Sequence, residues 1–240
     1  MHFLDLTLPT PAENLALDEA LLDQAEATGG SGVLLFWESP QPFVVLGYAN
    51  QVAQEVHVEA CRERNIPILR RCSGGGTVLQ GPGCLNYSVI LNFNESPALQ
   101  TITGTNQFVM TRQRDALARL LQQEVTIEGH TDLALHGLKF SGNAQRRKRE
   151  WLLFHGTLLL PGFALALLSE CLLPPPLQPA YRRRRSHDEF LTRLPLGSTA
   201  IKTALREAWQ AEAPLTEIPH NRIARLVSER YSRAEWNLKR

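Results

Sequence analysis

A glycine-rich segment is the part of the sequence best suited to hold an anion. Ser73–Gly76 follows two arginines, Arg70 and Arg71, and lies between two predicted strands. Three consecutive glycines cost chain entropy, so we expect a positive φ or a close backbone approach there. The amides of such a turn form a concave set of donors for an anion or a carboxamide, and a neighbouring arginine can neutralise a phosphate. A simple hairpin turn explains the same residues, and the segment alone does not decide between the two interpretations.

A lysine in a predicted strand is the second candidate. Lys139 lies between Leu138 and Phe140, where an unpaired ammonium would be costly. Its presence there indicates contact with an anionic ligand. The alternative is a lysine on an edge strand whose amine reaches solvent.

The surrounding pattern mixes helices and strands without strict alternation, which is typical of an α+β or mixed α/β fold. Apolar spacing and the positions of Gly and Pro give these assignments. The predicted helices are 13–27, 51–65, 103–123, 163–172, 199–213 and 220–239. The predicted strands are 33–37, 43–47, 66–71 and 85–92, followed by a strand–turn–strand unit over 132–160.

Composition limits the class of protein. The 240 residues are 43% hydrophobic and carry a net charge of +1, which gives no general attraction to nucleic acid or to a membrane. Met1–Leu8 lacks the features of a signal peptide, and the apolar runs are too short to span a bilayer. The four cysteines show no metal-ligand spacing, so we expect free thiols in the cytoplasm.

Five motifs, in this order along the chain, resemble the lipoate–protein ligase A family within the superfamily of biotin/lipoate ligases (BPL/LPL) and octanoyltransferases. The motifs are Glu13–Leu21, Arg70–Gly76, Gly129–Leu133, Lys139–Gln145 and His155–Leu159. The resemblance implies a mixed α/β catalytic domain of BPL/LPL type, with a mainly antiparallel sheet flanked by helices.

In that family a carboxylic acid reacts with ATP to give an acyl-adenylate, which a lysine of an acceptor domain then attacks. The resemblance implies Lys139 and Asp132 as catalytic residues, with Lys139 contacting the acyl carboxylate and the α-phosphate together. A fixed cation there would stabilise the growing charge without reorganisation. Mg²⁺ is expected with the nucleotide, and no separate metal site is expected.

The resemblance also implies two sets of binding residues. The nucleotide set is Arg71, Ser73, Gly74, Gly75, Gly76, Thr77, Val78, Leu79 and Lys139. The set for lipoate, or octanoate, is Asn86, Ser141, Gly142, His155 and Gly156.

The sequence departs from the ligase pattern at several positions, and these departures leave a second enzymatic function, that of an octanoyltransferase, as an alternative. The ligase loop usually continues with His-Asp, where this chain has Gln80-Gly81, and the Gly-Pro-Gly that follows is closer to the octanoyltransferase motif. A transferase would take an octanoyl or lipoyl group from acyl carrier protein through a cysteine thioester, and it would need a low-pKa thiolate near Lys139. We interpret Cys171 as a buried structural cysteine, whereas Cys72 and Cys84 flank the glycine loop and stay open.

Two other classes of protein share parts of this pattern. A non-catalytic acyl- or partner-binding protein is suggested by Gln80-Gly81 and by His130, where the ligases carry arginine. A biotin ligase is disfavoured, because its loop has the form Gly-Arg-Gly-Arg-x-Gly.

The expected partner is a lipoyl-acceptor protein, either a lipoyl domain or the H protein of glycine cleavage. Two basic runs, Arg146–Arg149 and Arg182–Arg185, suit either solvated turns or an acidic partner surface. No aromatic platform accompanies them, so nucleic acid is not expected.

We expect a BPL/LPL catalytic domain over residues 1–195 and a short helical extension over 196–240 packed on it. About 45 residues are too few for an independent core. Since bacterial ligases commonly carry a separate accessory domain, an accessory subunit is the corresponding expectation here.

Overall fold

The computed structural model describes residues 1–239, and its elements run in the following order. The strands are β1 (His2–Asp5), β2 (Val33–Trp37), β3 (Phe43–Leu46), β4 (Ile68–Arg70), β5 (Val78–Gln80), β6 (Cys84–Asn92), β7 (Thr126–Glu128), β8 (Asp132–Leu135), β9 (Leu138–Arg147), β10 (Trp151–Leu159) and β11 (Ala213–Pro214). The helices are α1 (Pro11–Thr28), α2 (Val52–Glu55), α3 (Val58–Glu63), α4 (Ile102–Leu121), α5 (Leu165–Cys171), α6 (His187–Phe190), α7 (Ser198–Trp209), α8 (His220–Leu226) and α9 (Ala234–Asn237).

The strands form an eight-stranded sheet in the order β11-β1-β2-β6-β10-β9-β8-β7 and a three-stranded sheet in the order β4-β3-β5. The large sheet is antiparallel except where β1 pairs with β2 and β11. The predicted mixed α/β fold with a mainly antiparallel sheet is confirmed.

Helices cover both faces of the large sheet. On one face α4 and α7 pack on Leu34, Val89 and Phe154. On the other face α1 and α8 pack on Leu35 and Leu153. Strand β6 is buried along almost its whole length, which explains its nearly continuous apolar sequence.

Strand register decides which polar residues share the face that α1 covers. In β10, His155 lies opposite Ser88 of β6 and Ala144 of β9, while Thr157 lies opposite Asn86 and Gly142. Directly paired residues point to the same face of a sheet. This face therefore collects polar and small side chains in its middle.

Two predicted helices are wrong in their continuity. The helix predicted over 51–65 breaks at Val56, which forms an isolated bridge with Leu172, and the adjacent His57 amide donates to the Cys171 carbonyl. The helix predicted over 220–239 passes through a π-helical turn at Val227–Tyr231 and stops before α9 begins. At Val56, contacts with a distant part of the chain replace the next helical turn.

Beyond residue 195 the chain adds helices to both faces of the large sheet and a strand to its edge. Helix α7 packs against α4, β11 pairs with β1, and α8 packs against α1. The domain division at residue 195 stays a prediction. Within residues 1–239, the helices are too short or too polar to cross a membrane.

Candidate active site

A cavity of about 670 Å³ opens on the face of the large sheet that α1 covers. Its walls come from that sheet face, from β5 with the loop before it, and from the long segment that follows α5 and ends at Leu191. Leu191 forms an isolated bridge with Lys139 of β9. This segment returns to the sheet where the Thr192 amide donates to the Lys139 carbonyl at 2.8 Å.

Lys139 and Asp132 meet in the wall of this cavity. The Lys139 Nζ lies 2.8 Å from Asp132 Oδ1, and the two side chains are 26% and 15% exposed. The Tyr181 hydroxyl donates to the other carboxylate oxygen of Asp132 at 2.7 Å. A Cβ atom on Gly142 would lie 3.0 Å from Lys139 Nζ, so glycine leaves the space that the ammonium fills. The ammonium is thus held in one place and still faces the cavity.

The glycine loop is shaped by Arg71 from within. The buried Arg71 guanidinium donates to the carbonyls of Gly74 at 2.5 Å and Gly76 at 2.9 Å, and to Ser73 Oγ at 3.0 Å. Burial lowers the pKa of Arg71 to about 10. In this conformation the guanidinium N–H groups of Arg71, which we expected to bind nucleotide, hydrogen-bond to the glycine loop and order it.

The three glycines of the loop serve different purposes. Only Gly75 has a positive φ, +87°, which meets the expectation from the sequence. A Cβ atom on Gly47 would overlap the Gly75 carbonyl oxygen, so two backbone segments touch there, a contact that the sequence analysis missed. Gly74 and Gly76 have open space around them.

Not every predicted binding residue reaches the cavity. Most of them line it, namely Arg71, Gly76, Thr77, Val78, Leu79, Asn86, Asp132, Lys139, Ser141, Gly142, His155 and Gly156. Ser73, Gly74 and Gly75 are not among its lining residues.

His155 belongs to a chain of hydrogen bonds that crosses the fold. Its Nε2 lies 2.6 Å from Ser73 Oγ, and its Nδ1 lies 2.7 Å from Asp18 Oδ2. The Ser88 hydroxyl donates to the other Asp18 oxygen at 2.7 Å. Ser73 itself is only 1% exposed. The chain therefore fastens the glycine loop to β10 and α1.

Asp18 and Ser88 are site residues that the sequence analysis missed. The sequence carried a signal for Asp18, because this acidic residue and Glu19 lie inside the first motif between apolar stretches of Leu and Ala, and the structure buries Asp18 to 3% exposure. An unpaired buried carboxylate is costly, so such a residue needs a partner. The sequence carried no such signal for Ser88, because the residues around it have the pattern of an ordinary buried strand.

A second polar group lies on the same sheet face. The Thr157 hydroxyl donates to Asn86 Oδ1 at 2.6 Å and accepts from Gln80 Nε2 at 3.1 Å. Among the described residues, Gln80 Oε1 and Asn86 Nδ2 are buried without a hydrogen-bond partner. Both residues line the cavity, although these two atoms are themselves covered.

Gly156 has room for no side chain. A Cβ atom there would overlap the carboxamide of Asn143, which also accepts from the Tyr87 hydroxyl at 2.5 Å. The Asn143 amide donates to the Thr131 carbonyl at 2.5 Å, so this asparagine ties β9 to the turn before Asp132.

The cysteines are buried, and within residues 1–239 none of them lines the cavity. Burial raises the pKa of Cys61 and of Cys84 to about 12, and it also raises the pKa of Cys72 and of Cys171. The interpretation of Cys171 as a buried cysteine is confirmed. A thiol with a raised pKa is a poor nucleophile at neutral pH.

Some residues of the two basic runs, Arg146–Arg149 and Arg182–Arg185, are engaged in contacts within the protein. Arg147 donates to the Leu99 carbonyl at 2.8 Å, and Lys148 pairs with Asp23 at 2.5 Å. The exposed arginines of the two runs are Arg146, Arg149, Arg183 and Arg184.

Together, the fold and the cavity define a class: a helix-flanked antiparallel sheet that holds a cation and a glycine loop around one ligand-sized space. Comparison with known proteins agrees with this class. Residues 10–196 match the family described as lipoyl protein ligase A/B catalytic domain. The chain belongs to this family.

Two sequence relatives illustrate its breadth. A protein of Aeropyrum pernix, which carries lipoate-protein ligase A as a provisional name, is 35% identical over 161 residues, covering 65% of this chain and 56% of its own. Octanoyltransferase LipM of Geobacillus kaustophilus is 25% identical over 273 residues, covering 100% of this chain and 98% of its own. The chain thus spans only about half the length of the first of these curated relatives.

Solved structures share the fold. The bipartite lipoate protein ligase of Thermoplasma acidophilum, studied with its E2 lipoyl domain, superposes with a TM-score of 0.83 at 23% identity and covers 100% of this chain and 97% of its own. A lipoate-protein ligase A bound with ATP gives a TM-score of 0.79 at 23% identity, with 99% of both chains covered.

Proposed function

We propose that this protein is an ATP-dependent lipoate–protein ligase. It activates lipoate, or octanoate, with ATP to an acyl-adenylate and releases pyrophosphate; the amine of a lysine on a lipoyl-acceptor domain then takes the acyl group and AMP leaves. The observation that carries the proposal is the ammonium of Lys139, which is held by Asp132 in a ligand-sized cavity whose described walls contain no thiol.

Lys139 supplies positive charge where the reaction develops negative charge. An ammonium has three N–H donors, and the pair with Asp132 uses one of them. The remaining donors can contact a carboxylate and an α-phosphate at once, which aligns the two reacting groups. Because the cation is already in place, it stabilises the transition state without reorganisation.

The walls of the cavity suit both ends of an acyl-adenylate. Leu15, Trp37 and Val78 offer an apolar surface to the acyl chain. Gln80 and Asn86 line the cavity too, and their amide side chains each carry a donor and an acceptor for the polar head group.

Magnesium would bind mainly through the nucleotide. Mg²⁺ usually takes one or two carboxylates together with phosphate oxygens and water. Asp132 lines the cavity and would supply the carboxylate; within residues 1–239, no group of three His, Cys, Asp or Glu side chains is placed to bind a metal alone. The ion would offset phosphate charge when the nucleotide is bound.

The cysteine chemistry of a transferase finds little support in this site. The described thiols are buried outside the cavity, and burial raises their pKa. The full-length similarity to an octanoyltransferase nevertheless makes transfer from acyl carrier protein the second candidate.

The proposed acceptor is a lipoyl domain or the H protein of glycine cleavage. The Thermoplasma ligase of similar fold is bipartite and was studied with an E2 lipoyl domain. By analogy, an accessory subunit is proposed for this chain. Arg183 and Arg184, exposed on the segment that covers the cavity, are the best placed of the basic residues to meet an acidic acceptor.

The test is acceptor modification followed by intact mass. The protein is incubated with lipoate, Mg²⁺ and a lipoyl domain, with and without ATP, beside Lys139→Met as the matched control. We expect a mass gain that requires both ATP and Lys139. Transfer from octanoyl carrier protein without ATP would replace the proposal with the second candidate. Lipoate binding without any mass gain, and without ATP–pyrophosphate exchange, would indicate a binding protein if it persists when the accessory subunit is added.

A further inference from the structure

Arg70 joins two segments of the chain that the proposed chemistry does not use. Its side chain is fully buried, and its guanidinium donates to backbone carbonyls of the loop after β3 and of the last described residues. The acceptors are Gly47 at 2.8 Å, Tyr48 at 3.2 Å, Asn50 at 2.7 Å, Trp236 at 3.1 Å and Lys239 at 2.7 Å.

The backbone of Arg70 is held by side chains of the same distant segment. The Trp236 indole N–H donates to the Arg70 carbonyl at 2.8 Å, and the Arg70 amide donates to Asn237 Oδ1 at 3.0 Å. Strand β4 lies at the edge of the small sheet, so these side chains pair with backbone groups that no strand reaches. The Asn237 amide also donates to the Tyr231 carbonyl at 2.9 Å.

The loop after β3, which accepts hydrogen bonds from Arg70, is itself hydrogen-bonded to the glycine loop. The Tyr48 amide donates to the Ser73 carbonyl at 2.8 Å, and the Asn50 side chain donates to Thr77 Oγ1 at 3.2 Å. Gly47 lies directly against the Gly75 carbonyl. Hydrogen bonds therefore run without a gap from residues 236–239 through Arg70 to both ends of the glycine loop.

We propose that residues 230–239 form a brace that positions the glycine loop for nucleotide binding. Trp236 and Asn237 are its positioning residues, and neither lines the cavity. A loop ordered before binding loses less entropy when the ligand arrives, so the brace strengthens binding without touching the ligand. The nucleotide part rests on the proposed ligase function, whereas the coupling of the brace to the loop does not.

Hydrogen exchange in the ligand-free protein tests the coupling. In Trp236→Phe, which keeps an aromatic ring but loses the indole donor, we expect the Tyr48 and Asn50 amides to exchange about tenfold faster, as for the loss of one buried hydrogen bond. The most protected amides of β6 should be unchanged. The matched control is Leu238→Ala, since Leu238 is 48% exposed in the same segment. Unchanged exchange at Tyr48 and Asn50 would overturn the brace.

Kinetics and linkage test the consequence for binding. We expect Asn237→Ala to raise the KM for ATP about tenfold while the KM for lipoate stays within twofold. By reciprocity, ATP should slow exchange of the Leu238 amide in the unaltered protein. Equal changes in both KM values would indicate general destabilisation and refute the positioning role. If the unaltered protein shows no ATP-dependent activity, the proposed function fails, and the ligand-free exchange experiment still decides whether the brace exists.

Discussion

Gly142→Ala separates the position of Lys139, the proposed catalytic cation, from the stability of the fold. The added Cβ would lie 3.0 Å from Lys139 Nζ and 3.1 Å from its Cε, whereas ordinary contact begins at 3.4 Å. The ammonium must therefore move by at least 0.4 Å, from 3.0 to 3.4 Å. Because a misplacement of about 1 Å costs roughly a hundredfold in rate, we expect kcat to fall about five- to tenfold. The end of a lysine side chain moves easily, so the free energy of unfolding should hardly change.

The assay is steady-state lipoylation of a lipoyl domain, together with thermal unfolding of each variant. Gly197→Ala is the matched control, because a Cβ there meets no atom within 4 Å. The control should keep its kcat, and Gly142→Ala should keep the Tm of the unaltered protein; Gly197 is the N-cap of α7, so its replacement by Ala should lower the Tm slightly. A Gly142→Ala protein with unaltered kcat would show that the place of the ammonium does not limit the reaction, and the reasoning would fail.

Three other perturbations have defined outcomes. Gly156→Ala drives a Cβ into the Asn143 carboxamide, which lies 2.7 Å away at its Cγ, and should destabilise the fold by about 1–3 kcal/mol in urea titration; an unchanged midpoint contradicts this. Tyr181→Phe removes a hydrogen bond from Asp132 and should lower kcat about tenfold while the KM for lipoate stays constant; an unchanged kcat would exclude a positioning role for the hydroxyl. Burial, reinforced by nearby positive charge, lowers the pKa of His187 below 6.5, so the folded state binds fewer protons than the unfolded state. Stability should therefore fall as the pH drops below about 6.5, and His187→Gln should weaken that dependence in thermal unfolding; an identical slope in the two proteins would count against the assignment.

The sequence by itself determined the elements whose signal is local. Helix α1 begins at Pro11, and its capping box joins Thr10, the N-cap, to Glu13 only three residues further along the chain. The buried run of β6 and the long amphipathic pattern of α4 were equally readable. The motifs also contained Lys139 and Gly76, which line one cavity in the structure.

Only the tertiary structure decided which polar groups meet. Asp18, Ser73 and His155 come from three distant parts of the chain, and their contact depends on the register of β10 against β6 and on the seating of α1. A one-residue shift in that register would turn His155 to the other face of the sheet.

The same dependence explains the predictions that were wrong or incomplete. The helical pattern continues through Val56, yet bridging to Leu172 ends the helix there, because the tertiary contact outweighs a weak local propensity. Arg71 lines the cavity as expected, but the sequence did not indicate that the glycine loop folds its carbonyls around the guanidinium. Residue type and spacing specify what a side chain can bind, whereas the partner it binds is set by the packing of segments far apart in the chain.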